Sequence, residues 1–267
     1  MKIVIFGSNG MLGKYVCSVL EKSYEIIPIT RKEFDIVNDS WNKLEHLVKN
    51  VQIVINCAGC IPQKVDKTDY VSYIRVNTLF PHKLGEFSKK YDHRFIHVTT
   101  DCVFDGKKGN YTTDDKLSVT DIYGVTKYLG EPDDTTIIRT SIIGEELFTK
   151  KSLLEWVKSN RGKTIEGYTN HFWNGVTCLT LAKIIKKMIE ENLYWSGVKH
   201  VFSPDTVSKY ELCKYINEIY DLGINIIPVE KEYRNMTITG DVLFDISTIY
   251  EQITEQKILS IIKNSGN

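Results

Sequence analysis

The sequence predicts an α/β protein: a doubly wound parallel sheet joined to a smaller α/β C-terminal lobe. Three observations carry that expectation. Lys2–Phe6 is an unbroken apolar run, as in a strand covered on both faces by helices. It runs straight into Gly7-Ser8-Asn9-Gly10-Met11-Leu12-Gly13 and then an amphipathic stretch through Leu20. Further strand-like runs at 25–30, 51–56 and 94–99 alternate with helix-like stretches at 41–49 and 70–89, the rhythm of βαβ units.

The glycine turn between the first strand and helix makes this a Rossmann pattern. Glycines there let backbone N–H groups approach a pyrophosphate at a helix N-terminus, where the dipole favours an anion. A dinucleotide is therefore expected over Gly7 to Gly13. The second strand ends in Thr30-Arg31-Lys32. An NAD site usually puts an acid near this place for the ribose hydroxyls. Two cations suit a 2′-phosphate instead, so NADP(H) is favoured, with Thr30 and Arg31 as contacts. The alternative is two solvated loop charges beside Glu33 and Asp35. Asp35-Ile36 fits an adenine-side turn. The third strand ends in Asn56-Cys57-Ala58-Gly59, small enough for a cofactor to lie across the sheet. Asn77 lies inside the helix expected at 70–89; an asparagine there usually faces solvent or bonds back to the backbone, and the alternative is that it braces the active-site strand.

The fourth strand delivers Thr99-Thr100-Asp101. Some two dozen residues on, Tyr123 and Lys127 stand four apart, on one face of any helix. A lysine cation beside a phenol favours the phenolate. A threonine hydroxyl holding a carbonyl oxygen next to that phenol completes a site that protonates a ketone while a hydride reaches its carbon.

The bulk properties exclude other classes. With 267 residues the chain buries a sizeable core. Lys+Arg and Asp+Glu both number 34, so no long-range field favours nucleic acid or an anionic membrane. No apolar run approaches the roughly 20 residues of a membrane span. Met1-Lys2 leads directly into the first strand without a signal-peptide core, and the protein is expected to be cytoplasmic. Cys17, Cys57, Cys60, Cys102, Cys178 and Cys213 are scattered, which does not suggest a disulfide framework. The six histidines show no ligand spacing, so no catalytic metal is expected.

Thr136–Thr140 reads as the next strand and leads into Arg139-Thr-Ser-Ile-Ile-Gly144. A helix at 152–159, the Gly167-Tyr-Thr-Asn170 and Phe172-Trp-Asn-Gly-Val-Thr177 segments, an amphipathic helix at 179–191 and a strand at 198–202 follow. Beyond 203 come a Ser-capped helix at 208–220, a strand at 224–229 and a terminal helix at 251–263. The cofactor domain is expected over 1–144 plus about 171–200, and the substrate lobe over 145–170 and 201–267. Trp173 reads equally as a core aromatic or a pocket wall, and Arg234 as a surface charge or a phosphate contact.

In order and spacing, G-x-x-G-x-x-G after the first strand, N-C-A-G after the third, T-T-D before V-F-D-G, and Y-G-V-T-K resemble the extended short-chain dehydrogenase/reductases. M-L-G in the glycine turn, T-D-x-V-F-D-G and R-T-S-I-I-G resemble the dTDP-4-dehydrorhamnose reductase branch. The match covers nearly the whole chain and weakens after about residue 205. The resemblance implies NADPH-dependent reduction of the C4 keto group of a nucleotide-linked 6-deoxy-4-ketohexose. Thr100 would orient the keto oxygen, Tyr123 would donate the proton, and Lys127 would hold the nicotinamide ribose and lower the tyrosine pKa. Cys57, Ala58, Gly59, Asn77 and Thr99 would join the cofactor contacts. Thr100, Asp101, Cys102, Arg139, Trp173 and Asn174 would meet the substrate. The family is often dimeric, and no apolar stripe in the sequence decides the oligomeric state.

More loosely, S-L-L-E-W, G-Y-T-N and W-N-G-V-T resemble relatives that reduce UDP-linked 2-acetamido-2,6-dideoxy-hexuloses towards UDP-L-rhamnosamine. Cys102 departs from the branch, which commonly carries tyrosine there. Epimerase–reductases of the GDP-fucose synthase type use a cysteine nearby as an acid–base group, which makes a bifunctional 3,5-epimerase/4-reductase an alternative. Lys150 and Lys151 are then candidates for the second acid–base group, whereas the bland role of Cys102 is a small thiol filling space. A further alternative is a non-catalytic NADP-binding regulatory subunit, against which the intact Thr100, Tyr123 and Lys127 set argues.

Overall fold

The computed structural model describes residues 1–119, 121–146 and 150–265, with the side chains of 261–265 excepted. The expected substrate lobe at 145–170 thus includes 147–149, which lie outside the described residues. The far end of the helix expected at 251–263 is described by its backbone alone. The chain divides into two compact units: residues 1–104, 116–139 and 182–199, and residues 105–115, 140–181 and 200–267.

The first unit holds the expected doubly wound sheet. In chain order its elements are β1 (Lys2–Phe6), α1 (Met11–Leu20), β2 (Glu25–Ile29), α2 (Trp41–Val48), β3 (Ile53–Asn56), α3 (Tyr70–Tyr73), α4 (Phe80–Tyr91), β4 (Arg94–Thr100), α5 (Ile122–Tyr128) and β5 (Thr136–Thr140). Among the described residues the sheet has six strands. Its order from one edge is β2, β1, β3, β4, β5 and then Gly197–His200. Strand β1 pairs in parallel with β2 on one side and β3 on the other, so the order reverses there and opens a crevice at the strand ends. Val4, Phe6, Ile29, Val54, Phe80 and Phe95 pack into one cluster on one face of the sheet. Phe6 meets Phe80 edge-on with ring centroids 5.0 Å apart, a geometry that adds to area burial.

The helix expected at 70–89 is not continuous. Between α3 and α4 the backbone widens into a π-helical turn at Ile74–Leu79, where the Phe80 N–H reaches back to the Arg75 carbonyl. Pro81 supplies the reason. It sits in the first turn of α4 and has no N–H to give the carbonyl of Asn77, four residues back. Asn77 lies inside this turn.

The second unit contains β6 (Ile142–Ile143), α6 (Leu153–Ser159), β7 (Thr164–Tyr168), β8 (His171–Trp173) and β9 (Val176–Thr177). Helix α7 (Cys178–Glu190) starts there and ends in the first unit, and β10 (Gly197–His200) is the edge strand of the large sheet. Then come β11 (Val207–Ser208), α8 (Lys209–Tyr220), β12 (Asn225–Val229), β13 (Arg234–Asn235) and α9 (Ile249–Ser265). Ser208 caps α8 as expected: its hydroxyl accepts from the Glu211 N–H while the Glu211 carboxylate accepts from the Ser208 N–H, a reciprocal capping box. The core of this unit joins Leu154, Val157, Trp173, Leu212, Ile216 and Ile253.

Among the described residues no helix is long and apolar enough to cross a membrane. Nor does any group of His, Cys, Asp and Glu among them have an arrangement suited to a metal ion.

Candidate active site

The glycine turn folds as its chemistry requires. Gly7 has φ +72°, the left-handed region that favours glycine, and a Cβ there would lie 2.8 Å from backbone atoms of Ala58. A Cβ on Gly13 would overlap the Gly7 carbonyl oxygen. The turn therefore packs backbone to backbone against the residues that follow β3, and the start of α1 packs likewise against the turn. Gly10 caps α1 without any side-chain hydrogen bond, and no acidic residue stands in its first turn, which leaves the positive end of the dipole open to an anion. The Ile29 carbonyl accepts from both Gly7 and Ser8 N–H, at 3.0 and 3.2 Å.

Two hydroxyls of the expected cofactor set are buried without a hydrogen-bond partner: Ser8 Oγ and Thr99 Oγ1. An unpartnered buried hydroxyl is costly, and a polar ligand in the crevice relieves that cost. Together with the glycine cradle, these orphans fit a bound dinucleotide.

At the end of β2 the Thr30 hydroxyl and N–H both donate to the Glu33 carboxylate, at 2.6 and 2.8 Å. Arg31 Nε donates to Asp35 Oδ2 at 3.2 Å, yet its side chain stays 77% exposed. Asp35 is held below the usual carboxylate range by bonds from Asn38, the Val37 N–H and Arg31, which outweigh the opposing effect of burial. The turn is braced by Arg75, whose Nε donates to the Ile36 carbonyl at 2.7 Å while its guanidinium stacks on Trp41. Local pattern carries no sign of this brace, because it spans 39 positions.

Asn77 does not brace the active-site strand directly. Its amide clamps Cys60, accepting from the N–H at 2.8 Å and donating to the carbonyl at 2.9 Å. It also donates to Thr126 Oγ1 on α5 at 3.2 Å. It thus fixes the turn that follows Cys57-Ala58-Gly59 and ties it to the helix between Tyr123 and Lys127. From the sheet side, Asn56 Oδ1 accepts from the Ala58 N–H at 3.0 Å, and Asn56 Nδ2 donates to His97 Nδ1 at 3.2 Å. Burial holds His97 well below the usual histidine pKa, aided by the Lys127 charge, so the ring is neutral and carries its proton on Nε2.

Tyr123 and Lys127 lie on α5, which Asp121 caps by accepting from the Gly124 N–H at 3.0 Å. Gly124 permits a close approach: a Cβ there would stand 2.5 Å from the Cys102 carbonyl oxygen. The helix therefore presses against the turn after β4, and Thr100 is the one group that lowers the pKa of the Tyr123 phenol. Thr100 Oγ1 accepts from the Cys102 N–H and donates to Asp101 Oδ1, both at 3.2 Å. Cys102 Sγ donates to the same carboxylate oxygen at 3.6 Å. Lys127 is buried and its Nζ donates to the Val98 carbonyl at 3.0 Å. Burial pushes its pKa down to about 8, against the opposing pull of Glu131 and Cys57.

One expectation is corrected here. The Tyr123 phenol is pushed above its ordinary value of 10.0, by burial first and then by Cys102, with only Thr100 lowering it. Desolvation outweighs any help from Lys127. The phenol thus stays protonated at every neutral pH, which suits a proton donor.

The remaining candidates lie elsewhere. Arg139, on β5, is committed to Glu131: Nε donates to Oε1 at 3.2 Å and Nη2 to Oε2 at 2.6 Å. In the second unit Trp173 is 4% exposed, with the Lys209 ammonium 5.3 Å from its ring centre. The Asn174 amide is spent on the backbone of Ile238, donating to the carbonyl and accepting from the N–H.

The chain has known relatives. The RmlD substrate binding domain matches residues 1–237. The chain belongs to the RmlD substrate-binding domain family. A Bacillus subtilis relative, the spore coat polysaccharide biosynthesis protein SpsK, is 27% identical over 250 residues, or 88% of this chain and 86% of the relative. The dTDP-4-dehydrorhamnose reductase of Aggregatibacter actinomycetemcomitans is 26% identical over 225 residues, covering 79% of this chain and 76% of that enzyme. Among solved structures, the dTDP-4-dehydrorhamnose reductase of Bacillus anthracis in complex with NADP superposes with a TM-score of 0.84 at 22% identity, over 97% of this chain and 99% of that one. That likeness supports the fold.

Proposed function

We propose that this chain is an NADPH-dependent reductase that turns the C4 keto group of a nucleotide-linked 6-deoxy-4-ketohexose into an alcohol. The observation that carries the reading is one arrangement. A protonated phenol, with Thr100 the one group that lowers its raised pKa, sits on the same helix face as a buried lysine whose Nζ is anchored on the Val98 carbonyl. The names of the relatives point to the same chemistry, and the unpartnered Ser8 and Thr99 hydroxyls suit a cofactor in the crevice.

When bound, NADPH supplies a hydride to the carbonyl carbon. Thr100 and Tyr123 hold the carbonyl oxygen between two hydroxyls. The Tyr123 O–H passes its proton to that oxygen as negative charge develops there. The resulting phenolate is stabilised by the Lys127 ammonium until a proton from solvent restores it. Residues Gly7 to Gly13 would hold the pyrophosphate, and Thr30 with Arg31 the phosphorylated ribose. Asp35, Ile36, Cys57, Ala58, Gly59, Asn77 and Thr99 would complete the cofactor site. Asp101 and Cys102 would meet the sugar.

The nucleotide and the C2 substituent are the finer question. A panel of dTDP- and UDP-4-keto-6-deoxy sugars, including a 2-acetamido sugar, is incubated with NADPH and followed by loss of absorbance. Turnover with one of them is the expected result, and Tyr123→Phe should lower kcat by at least about a hundredfold, the usual worth of a positioned acid. No turnover across the panel would favour a regulatory cofactor-binding protein. Cys102, beside Asp101, is tested in the same assay run in deuterated water: deuterium at ring carbons would add an epimerase activity.

A further inference from the structure

The segment between β2 and α2 is held at two places. Phe34 is buried, with its ring centroid 6.2 Å from that of Phe6 and 6.0 Å from that of Phe80. Beyond Phe34 the chain closes on itself. The Asp35 carbonyl accepts from the Asn38 and Asp39 N–H groups at 3.1 and 2.8 Å, and Asp35 Oδ1 accepts from the Val37 N–H at 2.9 Å. Two carbonyls of this turn are then taken by a residue far away in the chain. Arg75 Nε donates to the Ile36 carbonyl and Arg75 Nη2 to the Asp39 carbonyl, both at 2.7 Å. The guanidinium also lies 4.3 Å from the centre of the Trp41 ring. A planar fork suits two acceptors held at a fixed separation. The carboxylates of the same turn are engaged otherwise, Asp35 with Arg31 and Asp39 with Lys43.

Arg75 belongs to the π-helical turn at Ile74–Leu79. Its carbonyl accepts the Phe80 N–H, so the widened backbone closes on the residue whose side chain grips the turn at 36–39. Two and three residues on, Asn77 holds Cys60 and Thr126 Oγ1, and Thr78 Oγ1 donates to the Thr126 carbonyl at 2.8 Å. Widened turns of this kind recur at functional sites.

We infer that Arg75 is a positioning residue for the adenosine half of NADP(H), fixing through its two carbonyl contacts the turn at 35–39 on which the adenine rests. The inference rests on the reductase reading, in which the adenine lies beside Asp35 and Ile36. Arg75 acts through the turn and not on the reacting atoms. Without it the stretch after Phe34 loses two charged hydrogen bonds and the stacking on Trp41. The glycine turn at Gly7 to Gly13 keeps its own backbone packing.

The test separates the two halves of the cofactor. Adenosine 2′,5′-bisphosphate carries the adenine and the 2′-phosphate without the nicotinamide, and its binding needs no turnover. Calorimetry should give Arg75→Ala an affinity for it about tenfold below the parent, the effect of about one hydrogen bond to a charged group. NADPH affinity should fall by a similar factor. In the reductase assay the loss should appear in KM for NADPH and not in kcat. Lysine keeps the charge but lacks the fork, so Arg75→Lys should also bind the bisphosphate more weakly than the parent. That conservative variant carries the test if Arg75→Ala folds poorly.

Bisphosphate affinity equal to the parent's in Arg75→Ala overturns the inference. Full affinity in Arg75→Lys does so too, because charge alone would then act on the phosphates. A fall in kcat that matches the rise in KM marks a general structural role and has the same force, as does a parent that binds NADPH but not the bisphosphate. A parent that binds neither sinks the reductase reading instead.

Discussion

Replacing Lys127 by methionine should make the free protein more stable while disabling it. The Lys127 pKa falls from 10.5 to about 8 on burial. A lysine with a depressed folded pKa binds fewer protons folded than unfolded, so it opposes folding below about pH 8. The opposition fades as pH climbs from about 8 towards 10.5. The gap of about 2.5 pH units corresponds to about 3 kcal/mol at neutral pH, at roughly 1.4 kcal/mol per unit. At pH 10 only about 1 kcal/mol of it remains. Methionine keeps the unbranched stem and removes the charge. Urea denaturation of parent and Lys127→Met at pH 7 and pH 10 reads the effect as a difference of differences, so other titrating groups cancel. The variant should lead by about 3 kcal/mol at pH 7, with the lead shrinking at pH 10. A variant less stable than the parent at pH 7, or a lead that does not vary with pH, would refute the claim that burial strains this ammonium.

Three more outcomes follow from the same geometry. Arg31→Ala should shift the kcat/KM ratio of NADPH over NADH towards NADH by about tenfold or more, the worth of about 1.4 kcal/mol; an unchanged ratio would place the 2′-phosphate elsewhere. Asn77→Ala strips the partners from the Cys60 backbone and should cost about 2–4 kcal/mol in denaturant unfolding, with a raised KM for NADPH because the Cys57-Ala58-Gly59 turn loosens. His97 is held neutral in the fold, so the parent should lose up to about 1.4 kcal/mol per pH unit below the ordinary histidine pKa. The His97→Leu variant should show a shallower acid limb, whatever its absolute stability, when melting is followed from pH 7 to pH 4.

What the sequence disclosed was local. Strand, glycine turn and helix at residues 2–20 are contiguous, and their chemistry is fixed by neighbours a few positions apart. Tyr123 and Lys127 share a face because four residues make about one helical turn. The hidden features depend on distant partners. The π-helical turn at Ile74–Leu79 sits in a pattern that reads as uninterrupted helix, and Pro81 alone hints at it. Arg139 looked free for substrate because its partner Glu131 belongs to a different element and registers as one more charge after a helix. Arg75 lies among apolar helix residues with nothing to link it to Ile36. The upward push on the Tyr123 phenol follows from desolvation, a property of the assembled interior that spacing does not carry.

The Ile29 carbonyl makes two parts of the crevice mechanically one. By accepting from both Gly7 and Ser8, the last residue of β2 is riveted to the loop that would wrap the diphosphate. Residues 30 and 31, which would discriminate between the two nicotinamide dinucleotides, start at the next peptide bond. Any redesign of coenzyme choice that tilts the end of β2 will therefore also tilt the diphosphate grip, so selectivity swaps should leave Ile29 and its backbone in place and be confined to the side chains beyond it.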